Sequence, residues 1–316
     1  MNKDPSQASW LFHAIVAGCC YSFSSGLLTM LNKHALVNFG FSAPNMLLLM
    51  QCVLTVLIVK ICALFHLITD ILPLRKDIAF TWFPVNIIFV CMIGTNVYAM
   101  QHVGLGILIV CKNLSNVLTC IGDYVLFGKR YNWNVWASLS VMFASATVGA
   151  SADKHFTFIG YGWLAANILF TSLYTLLLRG VIGKVKDITA GKPFSDFTLV
   201  LYNNALSILP VLLLAIFFDE HKAITLESNL LALSNPSFLI VAAMSGVLGF
   251  AISFSSLWFL SQTSATIYSL VGALNKIPIA VLGIFVFNEP TDIQSLGSIT
   301  LGLGAGILFV WAKQLT

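Results

Sequence analysis

The residues able to do chemistry lie inside apolar stretches. Tyr268, Gly272 and Lys276 are spaced i, i+4, i+8, and Asn275 falls at i+7 from Tyr268. On a helix that spacing sets a phenol, a gap, an amide and an ammonium along one stripe. The gap at Gly272 lets a ligand approach the backbone. Pro278 cannot donate to the carbonyl of Leu274, and a freed carbonyl beside a lysine suits a polar cavity better than lipid. Tyr202-Asn203-Asn204 precede Pro210, which frees the carbonyl of Leu206. Two adjacent amides can read a base edge, or they can bond neighbouring helices. Lys112 and Asp123 are eleven residues apart, roughly 16 Å along a helix at about 1.5 Å per residue. They cannot form a direct salt bridge, so Lys112 needs a ligand or an acceptor on another helix. Asp123 has Lys129 and Arg130 close by, and Lys60 can snorkel to a surface. Lys276 likewise can serve a ligand in a polar cavity or bond to a neighbour in a kinked packing helix. No paired catalytic aspartates, HExxH or P-loop occur, and the six histidines are scattered. No catalytic residue, metal ligand or cofactor is expected.

These polar groups need elements that cross lipid. Of the 316 residues, 58% are hydrophobic and 9% charged, with a mean hydropathy of +0.91. A soluble domain carries about 25% charged residues, so a soluble fold is excluded, as are collagen-like, disordered and disulfide-scaffold chains. The net charge of +4 gives no basic stripe for nucleic acid. All seven cysteines lie in apolar runs of the first half and read as small packing residues.

A spanning helix needs about 20 mostly apolar residues. That ruler predicts ten spans, near Ser9–Leu31, Met46–Thr69, Trp82–Gln101, Gly104–Phe127, Val135–Ala152, Ile159–Leu178, Phe197–Phe218, Phe238–Leu260, Ala265–Phe287 and Ser295–Ala312. The third and fourth meet at a short turn near His102–Val103. The first is too long for a cleaved signal peptide and reads as a signal anchor. Ten spans put both termini on one side. That side receives Lys3, Arg75, Lys76, Lys129, Arg130, Arg179, Lys184, Lys186, Lys192 and Lys313, against Lys33, Lys154 and Lys222 on the other. Loops rich in Lys and Arg stay cytosolic, so both termini are expected in the cytosol.

The fourth span reads Lys112-Asn113-Leu114 and the ninth Leu274-Asn275-Lys276, each followed by an aromatic-rich exit. With five spans per half, repeated halves must be inverted, the plan of many secondary transporters. The expected fold is an all-α membrane protein, a single transmembrane domain over 1–316 with repeats near 9–152 and 159–312. Gly302/Gly306 and Ser245/Gly249 are small-xxx-small pairs for close helix packing.

Gly272-Ala273-Leu274-Asn275-Lys276 matches the GALNK motif of the Golgi GDP-mannose transporters, a branch of the nucleotide-sugar transporters in the drug/metabolite transporter superfamily. Leu201-Tyr202-Asn203-Asn204 is similar to their FYNN motif with Leu for Phe. Tyr21 through Asn32-Lys33, and Lys112-Asn113-Leu114, are also similar, and the likeness covers essentially the whole chain. The resemblance implies exchange of a cytosolic GDP-sugar for lumenal GMP by alternating access in the Golgi membrane. It implies that Asn203 and Asn204 contact guanine and that Lys276, helped by Lys112, contacts the diphosphate. Tyr268, Gly272, Ala273 and Asn275 would line the phosphate and sugar end, and Tyr21 and Ser253 other parts of the cavity. GDP-mannose is the first expectation. GDP-fucose, a UDP-sugar, a phosphorylated metabolite and a non-transporting scaffold stay open, as does a homodimer. Lipid is a partner and nucleic acid is not.

Overall fold

The computed structural model describes residues 5–68, 71–153, 156–188, 195–263, 271–272, 274–286 and 292–314. Among them there is no strand, and helices are α1 (Pro5–Lys33), α2 (Pro44–Leu64), α3 (Lys76–His102), α4 (Leu105–Lys112), α5 (Leu114–Phe127), α6 (Trp133–Ser151), α7 (Phe158–Ile188), α8 (Asp196–Phe217), α9 (Glu220–Ala223), α10 (Glu227–Ser234), α11 (Pro236–Gln262), α12 (Lys276–Val286) and α13 (Ile293–Gln314). A π-helical turn, His34–Asn38, joins α1 to the link before α2. Seven of the described stretches are long and apolar enough to cross a membrane. In lipid every backbone N–H and C=O must be paired within the chain, which an all-helical architecture achieves. The protein is therefore an all-α, multi-pass membrane protein.

Seven of the ten predicted spans, the first four, the sixth, the seventh and the tenth, fall on these stretches, with one physical difference. The fourth span is two helices. α4 ends at Lys112 and α5 starts at Leu114, with Asn113 between them. There the N–H of Asn113 reaches the carbonyl of Val110 at 3.0 Å, and that of Asn116 reaches Asn113 at 3.0 Å, which are three-residue steps. Such a tightened mid-helix turn marks a hinge or a site. The ninth span is also interrupted, but there the N–H of Asn275 reaches the carbonyl of Val271 at 2.8 Å, a four-residue step. Asn275 is a turn residue and Lys276 opens α12; Tyr268, from which the stripe is drawn, lies outside the described residues. Most of that span's first half lies outside the described residues.

The remaining departures are smaller. The eighth span is α11, of 27 residues. α6 is helical over 19 residues but carries Ser138, Ser140, Ser145, Thr147 and Ser151, which lower its apolarity. The segment after α8, between the seventh and eighth predicted spans, holds α9 and α10.

The strongest packing joins α3 to α7, α1 to α11, α6 to α13 and α2 to α8; α11 also packs on α2, α3 on α8, and α4 on α12. Small residues permit the closest approaches, as their spacing predicts. A Cβ on Gly302 would sit 2.5 Å from Ser145 Oγ and 2.7 Å from Val110 Cγ1, so α13 crosses α6 and α4 with no room for a side chain. Gly249 would meet Thr55 Oγ1 at 3.4 Å. The apolar core runs through α3, α4, α6, α7, α12 and α13, with Leu105, Leu108, Val110, Leu164 and Ala280 almost wholly covered. Cys52, Cys111 and Cys120 are buried as expected, whereas Cys19 and Cys20 face outward from α1.

Candidate functional site

A cavity of about 420 Å³ opens between α1, α2, α3, α7, α8 and α11. The asparagine pair of α8 is on its wall. Asn203 is 4% exposed; its Oδ1 accepts from Trp82 Nε1 at 2.7 Å and its Nδ2 donates to Tyr174 Oη at 3.0 Å. Asn204 Nδ2 donates to the carbonyl of Val200 at 2.8 Å. Tyr174 and Phe89, with ring centroids 5.5 Å apart, line the same wall. Opposite them are Asn32, Gln51 and Ser245. Gln51 Nε2 donates to Asn32 Oδ1 at 2.9 Å and to Ser245 Oγ at 2.8 Å.

Asn96 links this cavity to the two mid-span lysines. It lines the wall, and its Oδ1 accepts from Lys112 Nζ at 2.6 Å. The next residue along, Asn113, accepts from Lys276 Nζ at 2.9 Å through Oδ1 and donates through Nδ2 to the carbonyl of Gly302 at 3.2 Å. The echo between the fourth and ninth spans is therefore a physical contact. The two helix breaks face each other, and the ammonium of one is held by the amide of the other. Among the described residues neither lysine meets a carboxylate. Amides satisfy some N–H donors of an ammonium but leave its charge uncompensated, and a buried charge without a counter-ion is costly. Two such charges at mid-span make a site that gains by taking up an anion.

Other expected residues fall as follows. Tyr21 and Gly272 are neighbours: a Cβ on Gly272 would sit 3.3 Å from Tyr21 Oη, so the α1 phenol occupies the space the glycine leaves. Tyr21 also stacks on Phe259, at 6.3 Å between centroids. Asn275 is buried and lines a separate apolar cleft between α1 and α12. Ser253 is on α11 with its side chain outside the described residues, and Tyr268 and Ala273 lie outside them altogether. Asp123, expected to answer Lys129 or Arg130, accepts from Tyr131 Oη at 2.7 Å, and Lys60 is exposed as snorkelling requires.

Tyr202 turns away from the cavity. It is fully buried, its Oη donates to the carbonyl of Pro73 at 2.7 Å, and it accepts the N–H of Arg75 at 2.9 Å. It pins the link between α2 and α3 to α8. Sequence reading alone missed Trp82, Asn96 and Tyr174. For Asn96 a signal existed: Phe89, Ile93, Asn96 and Val97 share one helical face, with the single amide at helical spacing from the rest.

An all-helical multi-pass fold around a polar, amide-lined cavity with two unneutralised lysines defines a membrane carrier for an anionic solute. The comparisons agree. Residues 13–309 match the Triose-phosphate Transporter family, and the chain belongs to that family. It is 42% identical to the GDP-mannose transporter GONST1 of Arabidopsis thaliana, over 95% of this chain and 89% of that one. It is 37% identical to GDP-mannose transporter GONST2 of the same plant, over 95% and 79%. A GDP-mannose transporter of Sclerotinia sclerotiorum is 31% identical, over 95% and 79%. A crystal structure of a protein with 16% identity shares the fold, at a TM-score of 0.58 covering 98% of this chain and 99% of that one. The relatives are transporters and not enzymes.

Proposed function

We propose that the chain is a nucleotide-sugar antiporter of the Golgi membrane. It carries a GDP-sugar, GDP-mannose first, from cytosol to lumen in exchange for GMP by alternating access. The observation that carries this reading is the pair of mid-span ammonium groups, Lys112 and Lys276, held by amides alone beside a cavity walled by Asn203 and Asn204. A nucleoside diphosphate offers about two negative charges at one end and a hydrogen-bonding base edge at the other. Relatives named as GDP-mannose transporters support the same choice of ligand.

The transport mechanism proposed is rocking of two inverted five-helix repeats, near 9–152 and 159–312, within one domain spanning 1–316. With α4 and α5 counted as one span, exchanging the first five spans for the last five maps α3–α7 packing onto α11–α1, and α2–α11 onto α8–α3. It leaves α2–α8, α6–α13 and α4–α12 in place. The Lys276–Asn113 contact then lies at the pseudo-two-fold axis. The lysine and arginine asymmetry of the loops puts both termini in the cytosol.

The test uses proteoliposomes loaded with GMP and radiolabelled GDP-mannose outside, with GDP-fucose, UDP-sugars and GMP as competitors. The expected result is uptake that requires internal GMP and is lost in Lys276→Ala. Folded, inserted protein that takes up no GDP-sugar under any loading would overturn the proposal.

A further inference from the structure

The two asparagines of α8 are held in fixed and opposite senses. An indole N–H only donates, so the atom of Asn203 that faces Trp82 at 2.7 Å must be Oδ1. Trp82 is fully covered, packed with Ile78, Val185 and Tyr202, and cannot swing away. The backbone beneath is fixed as well: Asn86 Nδ2 donates to the carbonyl of Asn203 at 2.9 Å and to Ser207 Oγ at 3.0 Å, and Ser207 Oγ donates to that same carbonyl. Asn203 therefore shows its Nδ2 to the cavity. One of its two hydrogens goes to Tyr174 Oη, and the other is left for a ligand. Asn204 is the reverse. A backbone carbonyl only accepts, so the group on Val200 O is Nδ2, and Oδ1 has no donor among the described residues. The wall presents a donor from residue 203 beside an acceptor from residue 204.

We propose that Trp82 is a positioning residue which fixes Asn203 as a hydrogen-bond donor, so that the wall selects a purine with a carbonyl at position 6 and N–H groups beside it. The inference rests on the nucleotide reading above and deepens it. With the phosphates held at the lysines, the base cannot slide to a new register. A 6-amino group in that register meets the Asn203 amino group, donor against donor. Phenylalanine at position 82 keeps the ring but frees Asn203 to rotate through 180°, which presents Oδ1 and accepts the 6-amino base.

The experiment compares GMP with 2,6-diaminopurine ribonucleoside monophosphate, which keeps the 2-amino group and changes only the 6-position and the adjacent ring nitrogen. Both compete for uptake into GMP-loaded proteoliposomes, and both are titrated as thermal-shift ligands of purified protein, so a variant slow in flux still reports. One mismatched buried pair changes a binding ratio by roughly tenfold to a hundredfold. The 6-amino base meets two mismatches in wild type, at its 6-position and at the ring nitrogen facing Asn204 Oδ1, so wild type should favour GMP by at least that factor; Trp82→Phe relieves the first and should lower the preference by about that factor. Asn203→Asp puts an acceptor where the free N–H was and should lower the preference for GMP in the same way, while Tyr174→Phe, which leaves the amide sense unchanged, should keep the wild-type preference. An unchanged ratio in Trp82→Phe overturns the proposal. So does loss of both nucleotides by folded Trp82→Phe and Asn203→Asp, since a reoriented amide must still accept one of them. Wild type that exchanges no GMP at all would instead overturn the nucleotide-antiport reading.

Discussion

Tyr202 is the residue whose role the structure changes most, and Tyr202→Phe tests that change. The variant keeps the buried ring in its contacts with Ile78, Trp82 and Val185 and removes one oxygen. That oxygen donates to Pro73 O at 2.7 Å and accepts from Arg75 N at 2.9 Å. Each net hydrogen bond is worth about 0.5–1.5 kcal/mol, so two come to about 1–3 kcal/mol. Water can reach this part of the link, since Leu74 is 47% exposed, which argues for the lower half of the range. At about 1.4 kcal/mol per tenfold, local opening of the link should become roughly 5- to 25-fold more frequent. Hydrogen exchange of the peptide covering residues 71–79 reads this directly, because the Arg75 amide is protected by the phenol. The assay should show faster exchange there, little change around Asn113, and an unchanged KM for the nucleotide-sugar with a lower turnover. A raised KM with unchanged exchange would refute the reasoning, since it would place the phenol on the ligand and not on the link.

Glu220 gives a second test. It is 3% exposed, and its carboxylate accepts from the N–H groups of Asn45 and Met46 at the start of α2, from Asn45 Nδ2 at 2.7 Å and from Tyr98 Oη at 3.0 Å. In Glu220→Gln an amino group must face one of those donors, at a cost of about 1–3 kcal/mol; the first turn of α2 should exchange roughly 5- to 150-fold faster. Gly302→Val would force a side chain into the space of Ser145 and Val110, and overpacking of this kind costs about 1–3 kcal/mol, seen as a melting temperature lowered by several degrees. At the start of α3, the Arg75 guanidinium hydrogen-bonds the Asp77 carboxyl and holds it below its usual range. A lowered carboxyl supports the fold above the ordinary carboxylate value and loses that support as the pH falls through the lowered one. Protection of this first turn should stay flat between pH 7 and 5 and fall only in stronger acid, and Asp77→Asn should remove the transition.

Much of the site was legible because lipid makes polar groups conspicuous. Lys112, Lys276 and the asparagine pair stand out in an apolar chain, and all four are where the cavity and its polar extension lie. The pairing of Lys276 with Asn113 was not legible as a contact, although the echo between the two spans was. Nothing in one sequence says which of two similar spans faces which. Trp82 was hidden for a different reason: tryptophan in a membrane chain reads as packing or an interface anchor, and its N–H acquires meaning only when α3 and α8 meet. Tyr202 misleads by proximity, since neighbours on a helix point about 100° apart and the residue beside two wall residues can face the other way. The helix break at Asn113 was invisible because no glycine or proline marks it, whereas Pro278, which frees the carbonyl of Leu274, signalled a disruption beside Asn275.

Those breaks bear on how an anion could be bound and released. An aspartate in place of Asn113 would neutralise Lys276 with a short, charge-assisted bond. An incoming phosphate would then have to displace a carboxylate of similar strength, and little net attraction would remain. An amide holds the ammonium in position with its donors partly satisfied, yet leaves the charge available. The same argument applies to Lys112 on Asn96, whose amide also lines the cavity, so a ligand that draws Lys112 off it also alters the wall. Asn113 has a second task. It spends its Nδ2 on the carbonyl of Gly302, the point where α13 approaches most closely. Were Lys276 to shift toward a phosphate, as proposed above, the change would reach the packing of α13 against α4 and α6 through one side chain. A carrier needs coupling between occupancy and helix packing, and on the antiport reading proposed above the Lys276–Asn113–Gly302 chain of contacts would supply it.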